Sequence, residues 1–142
     1  MSTQAPVVTQ HADPVRPMVF YDGGCPLCRR EIAHYRRIDS TGSLRWVDAM
    51  TEPETLARHG LSLQQAMAEL HVLDGEQRWQ RGVDAFLVIW QQLPAYRWLA
   101  KMVTVLCLRR PLGFVYRHFA AWRYRHRCAT GNCTISAGVR GR

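Results

Sequence analysis

Residues 18–28, MVFYDGGCPLC, decide the fold of this chain. The apolar run at residues 18–21 is typical of a buried strand, and Asp22-Gly23-Gly24 predicts a tight turn directly after it. A helix is expected to begin at the cysteine pair, because the proline between the two cysteines suits a first helical turn. The stretch therefore predicts a strand, a turn and a helix that carries two cysteines at its N-terminus.

The segments that follow complete an α/β pattern. Residues 44–48 alternate as a second strand after a helix that ends near residue 38, which makes a βαβ unit. A short helix is predicted at 51–59, and a helical turn or a loop at 62–68. Residues 69–73 and 76–80 flank Asp74-Gly75, a dipeptide that favours a hairpin with a two-residue type I′ turn. The order predicts an α/β fold with a βαβ…ββα core.

Three helices are predicted in the remaining, C-terminal part of the chain. The first begins near Asp84, which is the expected N-cap, and the third begins after Pro111. Trp90, Trp98 and Trp122 lie at helical spacing and are expected to pack in the core. The core is thus predicted to carry a helical, Arg-rich C-terminal extension.

The composition is that of an ordinary globular domain, with 142 residues of which 47% are apolar and 21% charged. It excludes a disordered chain, a collagen-like repeat and a disulfide-dense mini-protein. Residues 1–17 lack the apolar core of a secretory signal and are predicted to be a disordered lead-in. A single domain is predicted at 18–127, and a flexible tail at 128–142. No segment is a credible membrane span, so a cytoplasmic location with reduced thiols is expected.

The positive charge is concentrated in one half of the chain. Residues 1–84 carry nine basic and eleven acidic side chains, whereas residues 85–142 carry ten basic side chains and no Asp or Glu. Such a field suits nucleic acid, anionic lipid or an acidic partner. Arginines on an amphipathic helix usually form a solvated face, so we expect no more than a weak contact with an anionic membrane surface. Nucleic acid is disfavoured as a partner because the basic residues match no recognition motif.

The cysteine pair Cys25 and Cys28 is the candidate reactive site. Unpaired N–H groups and the macrodipole at a helix N-terminus stabilise a thiolate, so Cys25 is expected to have the lower pKa and to meet solvent. Cys28 falls on the inward stripe of the helix and is expected to be shielded while it resolves a mixed disulfide on Cys25. Asp22 either caps the turn or accepts the Cys28 proton, and the sequence leaves both roles open.

Two further features leave an alternative function open. Cys128 and Cys133 form a second pair, so that four thiolates, those of Cys25, Cys28, Cys128 and Cys133, could hold zinc in a binding module with a basic surface. The wide separation of the two pairs in the sequence disfavours that site. Cys107 lies between two leucines and is expected to be a buried, inert thiol.

Residues 20–28 resemble the defining motif of the thiol-disulfide oxidoreductase DCC family, named for an Asp-x-x-Cys-x-x-Cys pattern. Further segments are similar to later parts of the family pattern: Gly82-Val83-Asp84-Ala85, Leu93-Pro94, Tyr116-Arg117, Ala120 and Arg123. The resemblance covers about residues 18–127 and implies a thioredoxin-like fold.

The resemblance also implies dithiol–disulfide exchange, with Cys25, Cys28 and Asp22 as the site residues. The substrate would be a disulfide or a thiol, an external thiol would supply electrons, and no organic cofactor is expected. True thioredoxins complete the active site with a proline before the third strand, but this sequence has no proline between Pro53 and Pro94. A narrower activity than general protein disulfide reduction is therefore expected.

Overall fold

The computed structural model describes residues 15–129, with side chains through residue 127. The strands form a single four-stranded sheet of order β2-β1-β3-β4, in which β1 and β2 are parallel and the other pairs antiparallel. This architecture confirms the predicted α/β, thioredoxin-like fold class with a helical C-terminal part. The elements are β1 (Met18–Tyr21), α1 (Pro26–Ile38), β2 (Arg45–Asp48), α2 (Pro53–Arg58), α3 (Leu63–Ala68), β3 (His71–Leu73), β4 (Trp79–Arg81), α4 (Val83–Gln92), a 3-10 turn (Pro94–Tyr96), α5 (Arg97–Val105) and α6 (Arg109–Ala129).

The central strand β1 is buried on both faces, which explains why its sequence is a continuous apolar run rather than an alternating one. Val19 and Tyr21 pack against α1 and α4 on one face of the sheet. Met18 and Phe20 pack against α2 and α3 on the other. The sheet thus holds the C-terminal end of β1, and the turn after it, between two helical layers.

Helix α1 begins where the sequence predicts. Cys25 is its N-cap in an extended conformation, and Pro26 occupies the first helical turn. Ile32 and Tyr35 are its buried residues, and the Tyr35 hydroxyl accepts a hydrogen bond from Trp90 Nε1 at 3.0 Å. The expected core packing of Trp90 is therefore confirmed.

The predicted hairpin exists, but its predicted turn is wrong. β3 and β4 pair with Leu73 opposite Trp79, so the connection is five residues long rather than two. The Asp74 carboxylate accepts the backbone N–H groups of Glu76 and Arg78, both at 2.9 Å. The positive φ falls at Gln77 and not at the glycine. The Asp74 carboxylate stabilises this five-residue loop by hydrogen bonds to its backbone, so the type I′ turn favoured by Asp74-Gly75 does not form.

The C-terminal helices differ from the prediction at their ends. Gly82, with φ of 60°, is the N-cap of α4, and Asp84 lies in the first turn, where it accepts a hydrogen bond from Arg109 Nε at 2.9 Å. Helix α6 begins at Arg109, before Pro111, because a proline in the first turn needs no N–H partner. It continues to Ala129.

Three residues expected in the interior are exposed. Trp98 and Trp122 lie on the outer faces of α5 and α6, because α6 presents a different stripe, containing Ala120 and Arg123, to the domain. Cys107 is exposed in the link between α5 and α6, where its φ is 53°. Among the described helices, none is long and apolar enough to cross a bilayer.

Candidate active site

The turn between β1 and α1 is held by two carboxylates. Asp22 is 1% exposed, and its Oδ1 accepts the Gly24 N–H at 3.0 Å. Asp48, at the end of β2, accepts the Gly23 N–H at 3.2 Å. A Cβ on Gly23 would lie 2.0 Å from Asp48 Oδ2, and one on Gly24 would lie 2.0 Å from Arg127 Nη2. At both positions a side chain from elsewhere in the fold approaches the backbone and would have to move to admit a Cβ.

Two arginines of α6 enter this site from the other end of the chain. Arg127 binds the Asp22 carboxylate through both of its oxygens, with Nε to Oδ2 at 3.0 Å and Nη2 to Oδ1 at 3.2 Å. Arg123 Nη1 lies 3.9 Å from Asp22 Oδ2 and donates to Cys28 Sγ at 3.1 Å. All three charged side chains are buried. The site therefore contains a buried ionic cluster with one cation on a thiol.

Arg123 also fixes the loop before β3. Its Nη2 donates to the carbonyl oxygens of Met67 at 3.0 Å and Ala68 at 3.4 Å. The Tyr116 hydroxyl accepts the Leu70 N–H at 3.0 Å. These bonds occupy backbone groups of the segment in which thioredoxins carry the proline that this sequence lacks. The Leu70 N–H and the two carbonyl oxygens therefore already have hydrogen-bond partners on α6.

The solvent exposure of the two thiols is the reverse of the prediction. Cys25 is only 4% exposed, whereas Cys28, expected to be shielded, is partly exposed. Cys25 is the N-cap, and its Sγ accepts the Cys28 N–H at 3.5 Å, which folds it against the helix end. Cys28 lines a pocket of about 40 Å³ between α1, α3 and α6, with Leu27, Glu31, Phe119 and Arg123 among its other walls.

The order of the thiol pKa values agrees with the prediction. Burial acts to raise the pKa of Cys25, but hydrogen bonds from Cys28 and the nearby Arg123 outweigh it and leave that pKa below its ordinary value. Although Cys28 is partly exposed as a residue, loss of solvent in the small pocket that it lines raises its pKa to about 12; Arg123 opposes the rise and Cys25 adds to it. Loss of solvent around its carboxylate also raises the pKa of Glu31.

The contacts of Asp22 bear on its two expected roles, turn cap and proton acceptor. Both oxygens accept hydrogen bonds, from Gly24 and Arg127, which is the geometry of a residue that caps a turn and anchors a cation. Glu31 lies one helical turn after Cys28 and lines the same pocket. It is a carboxylate near the thiol that sequence reasoning missed.

The other missed residues are Asp48, Tyr116, Arg123 and Arg127. Arg123 and Tyr116 occur in the segments that resemble the DCC family, so that likeness was the available indication for them. Nothing local in the sequence marks Asp48 or Arg127, because each acts on a backbone or side-chain group distant in the chain.

The alternative four-cysteine zinc site lies outside the described residues, since Cys133 and the side chain of Cys128 are not among them. Within the part of the chain that is described, no group of three or more His, Cys, Asp or Glu residues could hold a metal ion. Cys25 and Cys28 are free thiols.

Comparison with known proteins shows the family to which this chain belongs. An uncharacterized chloroplastic protein of Arabidopsis thaliana is 26% identical over 128 residues, which cover 87% of this chain and 57% of that relative. The chain thus spans little more than half the length of the relative. No solved structure matches the chain significantly. The model of the DCC1-like thiol-disulfide oxidoreductase family matches residues 19–129, which include the dithiol turn and both arginines that contact it. The chain belongs to the DCC1-like thiol-disulfide oxidoreductase family.

Proposed function

We propose that this protein catalyses thiol–disulfide exchange with Cys25 as the attacking thiol and Cys28 as the resolving thiol. The observation that carries the proposal is the placement of the dithiol between the N-terminus of α1 and the guanidinium of Arg123. A helix end and a buried cation on the same pair of sulfurs stabilise the thiolate form that attacks disulfides.

The assignment of Cys25 as nucleophile follows from the amount of thiolate. Burial holds the pKa of Cys28 above its ordinary value, whereas hydrogen bonds from Cys28 and the nearby Arg123 lower the pKa of Cys25. At pH 7 a larger fraction of Cys25 than of Cys28 is therefore thiolate, which is the form that attacks disulfides.

The exchange takes place in two steps that use both thiols. The Cys25 thiolate attacks one sulfur of a substrate disulfide, forms a mixed disulfide and releases the other substrate sulfur as a thiolate. Cys28, deprotonated, attacks Cys25 Sγ, forms the Cys25–Cys28 disulfide and releases the second substrate sulfur. The dithiol gives up two electrons and the substrate disulfide takes them. An external thiol restores the dithiol by the reverse exchange, and no organic cofactor takes part.

Cys28 must lose its proton in the second step, and its surroundings change to allow this. The negative charge of Cys25, which raises the pKa of Cys28, disappears when the mixed disulfide forms. Arg123 remains beside Cys28 Sγ and stabilises the developing thiolate. We propose that Glu31, which lines the same pocket and whose pKa is raised by burial, accepts the proton. Asp22 acts as a positioning residue that holds Arg127 and the turn.

A reducing compartment, such as the cytoplasm, suits a resting dithiol of this kind. The direction of net electron flow then depends on the potential of the partner thiols. Leu27 and Phe119 form part of the pocket wall beside Cys28, which favours apolar groups next to the substrate disulfide.

The proposal is tested by mapping the first thiol that reacts. In a Cys107→Ser, Cys128→Ser, Cys133→Ser background, limited iodoacetamide labelling of the reduced protein at pH 7 should modify Cys25 first. The Cys28→Ser variant should keep that reactivity and accumulate a mixed disulfide with a model disulfide such as oxidised glutathione. The Cys25→Ser variant should accumulate none.

Three results would contradict the proposal. Preferential labelling of Cys28 would reverse the assignment, and equal labelling of both thiols would remove the case for an activated site. Stoichiometric zinc in the purified reduced full chain, lost in the Cys128→Ser, Cys133→Ser variant together with folding, would favour the binding-module alternative.

A further inference from the structure

Helix α6 carries a row of exposed apolar side chains beside the face that packs on the domain. Leu112, Val115, Phe119 and Trp122 follow one another at helical spacing, and all four are exposed, Val115 by 62% and Trp122 by 49%. We call these four residues the outer stripe. Apolar residues that face water in a row, rather than singly, mark a surface that binds something.

Helix α6 carries exposed basic residues on its polar side, and it contains no Asp or Glu. These are Arg110, Arg117 and Arg125, at spacings of seven and eight residues. Among the ten Lys and Arg of residues 85–142, Arg123 and Arg127 are buried at the reactive site and Arg109 pairs with Asp84. The exposed arginines of α6 give this helix a positive charge beside its apolar stripe, and an occupant must satisfy both.

Helix α5 repeats the pattern next to α6 in the chain. Trp98, Met102 and Val105 are spaced by one helical turn each and are exposed, and Lys101 is exposed between them. Two successive helices thus combine outward tryptophan and aliphatic side chains with basic ones. Such helices bind in the plane of a membrane interface, where Trp enters the headgroup boundary and Arg or Lys meets anionic headgroups.

We infer that the outer stripe binds the surface of an anionic lipid bilayer, with α6 lying in the plane of the interface. A second copy of the chain fits less well, because it would bring two basic faces of like charge together. Anionic headgroups complement the positive field, and the acyl boundary receives the apolar side chains.

The arrangement also places the reactive site at the membrane. Phe119 belongs both to the outer stripe and to the wall of the Cys28 pocket. Docking through the stripe would bring the dithiol to the bilayer surface, within reach of disulfides held there. The inference concerns location and does not depend on the exchange chemistry, which can be assayed in solution without lipid.

Vesicle flotation tests the inference on the full chain. Vesicles of phosphatidylcholine with about one third phosphatidylglycerol should bind the protein at low salt, and vesicles of phosphatidylcholine alone should bind it at least tenfold more weakly. The Val115→Gln, Trp122→Gln variant should lose at least tenfold in binding, while exchange with a small disulfide in solution stays unchanged. Ala121→Gln, an exposed position on the same helix but off the stripe, is the matched control and should bind normally.

The charge contribution is measured separately. Arg117→Gln and Arg125→Gln should each weaken binding about fivefold, since a basic residue near an anionic surface contributes about 1 kcal/mol. Brominated lipids should quench tryptophan fluorescence, and Trp122→Gln should reduce the quenching.

Four outcomes would overturn the inference. They are absence of vesicle binding, equal binding to neutral vesicles at all salt concentrations, an equal loss in the Ala121→Gln control, and a concentration-dependent dimer that the stripe variant abolishes in the absence of lipid. The last would assign the outer stripe to a second copy of the chain.

Discussion

A single side chain, Arg123, connects the reactive thiols to the rest of the molecule. Its guanidinium contacts Cys28 Sγ, the Met67 and Ala68 carbonyl oxygens and, at 3.9 Å, Asp22. Arginine suits such a position because its planar fork donates several hydrogen bonds while its charge is permanent. The guanidinium of Arg123 thus couples the Cys28 thiol to the loop before β3.

Replacing Arg123 should change the pH at which Cys25 reacts. Because the guanidinium helps the Cys28 hydrogen bonds to lower the pKa of Cys25, Arg123→Met should raise that pKa and slow alkylation at pH 7 several-fold. The rate of iodoacetamide labelling against pH measures the shift. Arg125→Met, an exposed arginine on the same helix, is the control and should leave the profile in place. If the labelling rate reached its midpoint at the same pH in both variants, Arg123 would have no effect on the pKa of the thiol.

Buried His71 should make stability depend on pH. Burial lowers its pKa below the ordinary value near 6.5, and its Nδ1 lies 2.9 Å from the Glu69 carbonyl oxygen. The unfolded chain binds the proton first as the pH falls, so this stability is complete above about pH 6.5 and is lost as the pH falls to the folded-state pKa. Melting temperatures between pH 7.5 and 5 measure the loss. His71→Asn, which keeps a donor near the position of Nδ1, should make the melting temperature depend less on pH in this range. An unchanged pH dependence would mean that other groups cause the loss of stability.

At the scale of elements, the turn after β1 and helix α6 use glycine for different reasons. Gly24 admits the Arg127 guanidinium against the backbone, whereas a Cβ on Gly113, inside α6, would meet no atom within 4 Å. At Gly24, the close approach of the Arg127 side chain from α6 disfavours a Cβ. Gly113 only increases the freedom of the unfolded chain.

The same substitution should therefore have opposite effects at the two positions. Gly24→Ala should lower the free energy of unfolding by about 1–3 kcal/mol, because Arg127 must move from Asp22. Gly113→Ala should raise it by about 0.5–1 kcal/mol. Denaturant titration under reducing conditions compares them. Stabilisation by Gly24→Ala would mean that Arg127 is not held where the structure has it.

At the scale of the whole molecule, the Asp22–Arg127 pair joins the two ends of the domain across 105 positions of sequence. The pair is buried, so removal of one partner leaves an uncompensated charge in the interior. The Asp84–Arg109 pair also reaches α6 but is exposed, with its charges largely screened by water.

A double-mutant cycle should separate the two pairs. Asp22→Asn and Arg127→Gln should each cost about 3 kcal/mol in the free energy of unfolding, and the double variant should cost clearly less than their sum. The corresponding cycle at Asp84 and Arg109 should give a coupling below about 1 kcal/mol. Strict additivity at Asp22 and Arg127 would contradict the role of the pair in holding α6 to the turn.

The sequence by itself determined the strand, the turn, the N-terminus of α1 and the dithiol at that terminus. Each depends on neighbours in the chain: the apolar run of β1, the glycines after Asp22, and Pro26 beside Cys25. The parallel pairing of β1 with β2 followed from the length of the helix between them. Even the hairpin was predictable, although Asp74 changed its turn.

Only the tertiary structure decided which face of α6 points inward. A helical wheel of α6 shows an apolar stripe with Trp122 and a second stripe with Tyr116, Ala120 and Arg123, and hydrophobicity favours burial of the first. The structure buries the second, because Asp22 and the carbonyl oxygens before β3 pair with the guanidiniums and remove the cost of burying them. These partners lie far away in the sequence, so no local pattern contains them, and the same packing leaves Trp122 facing solvent.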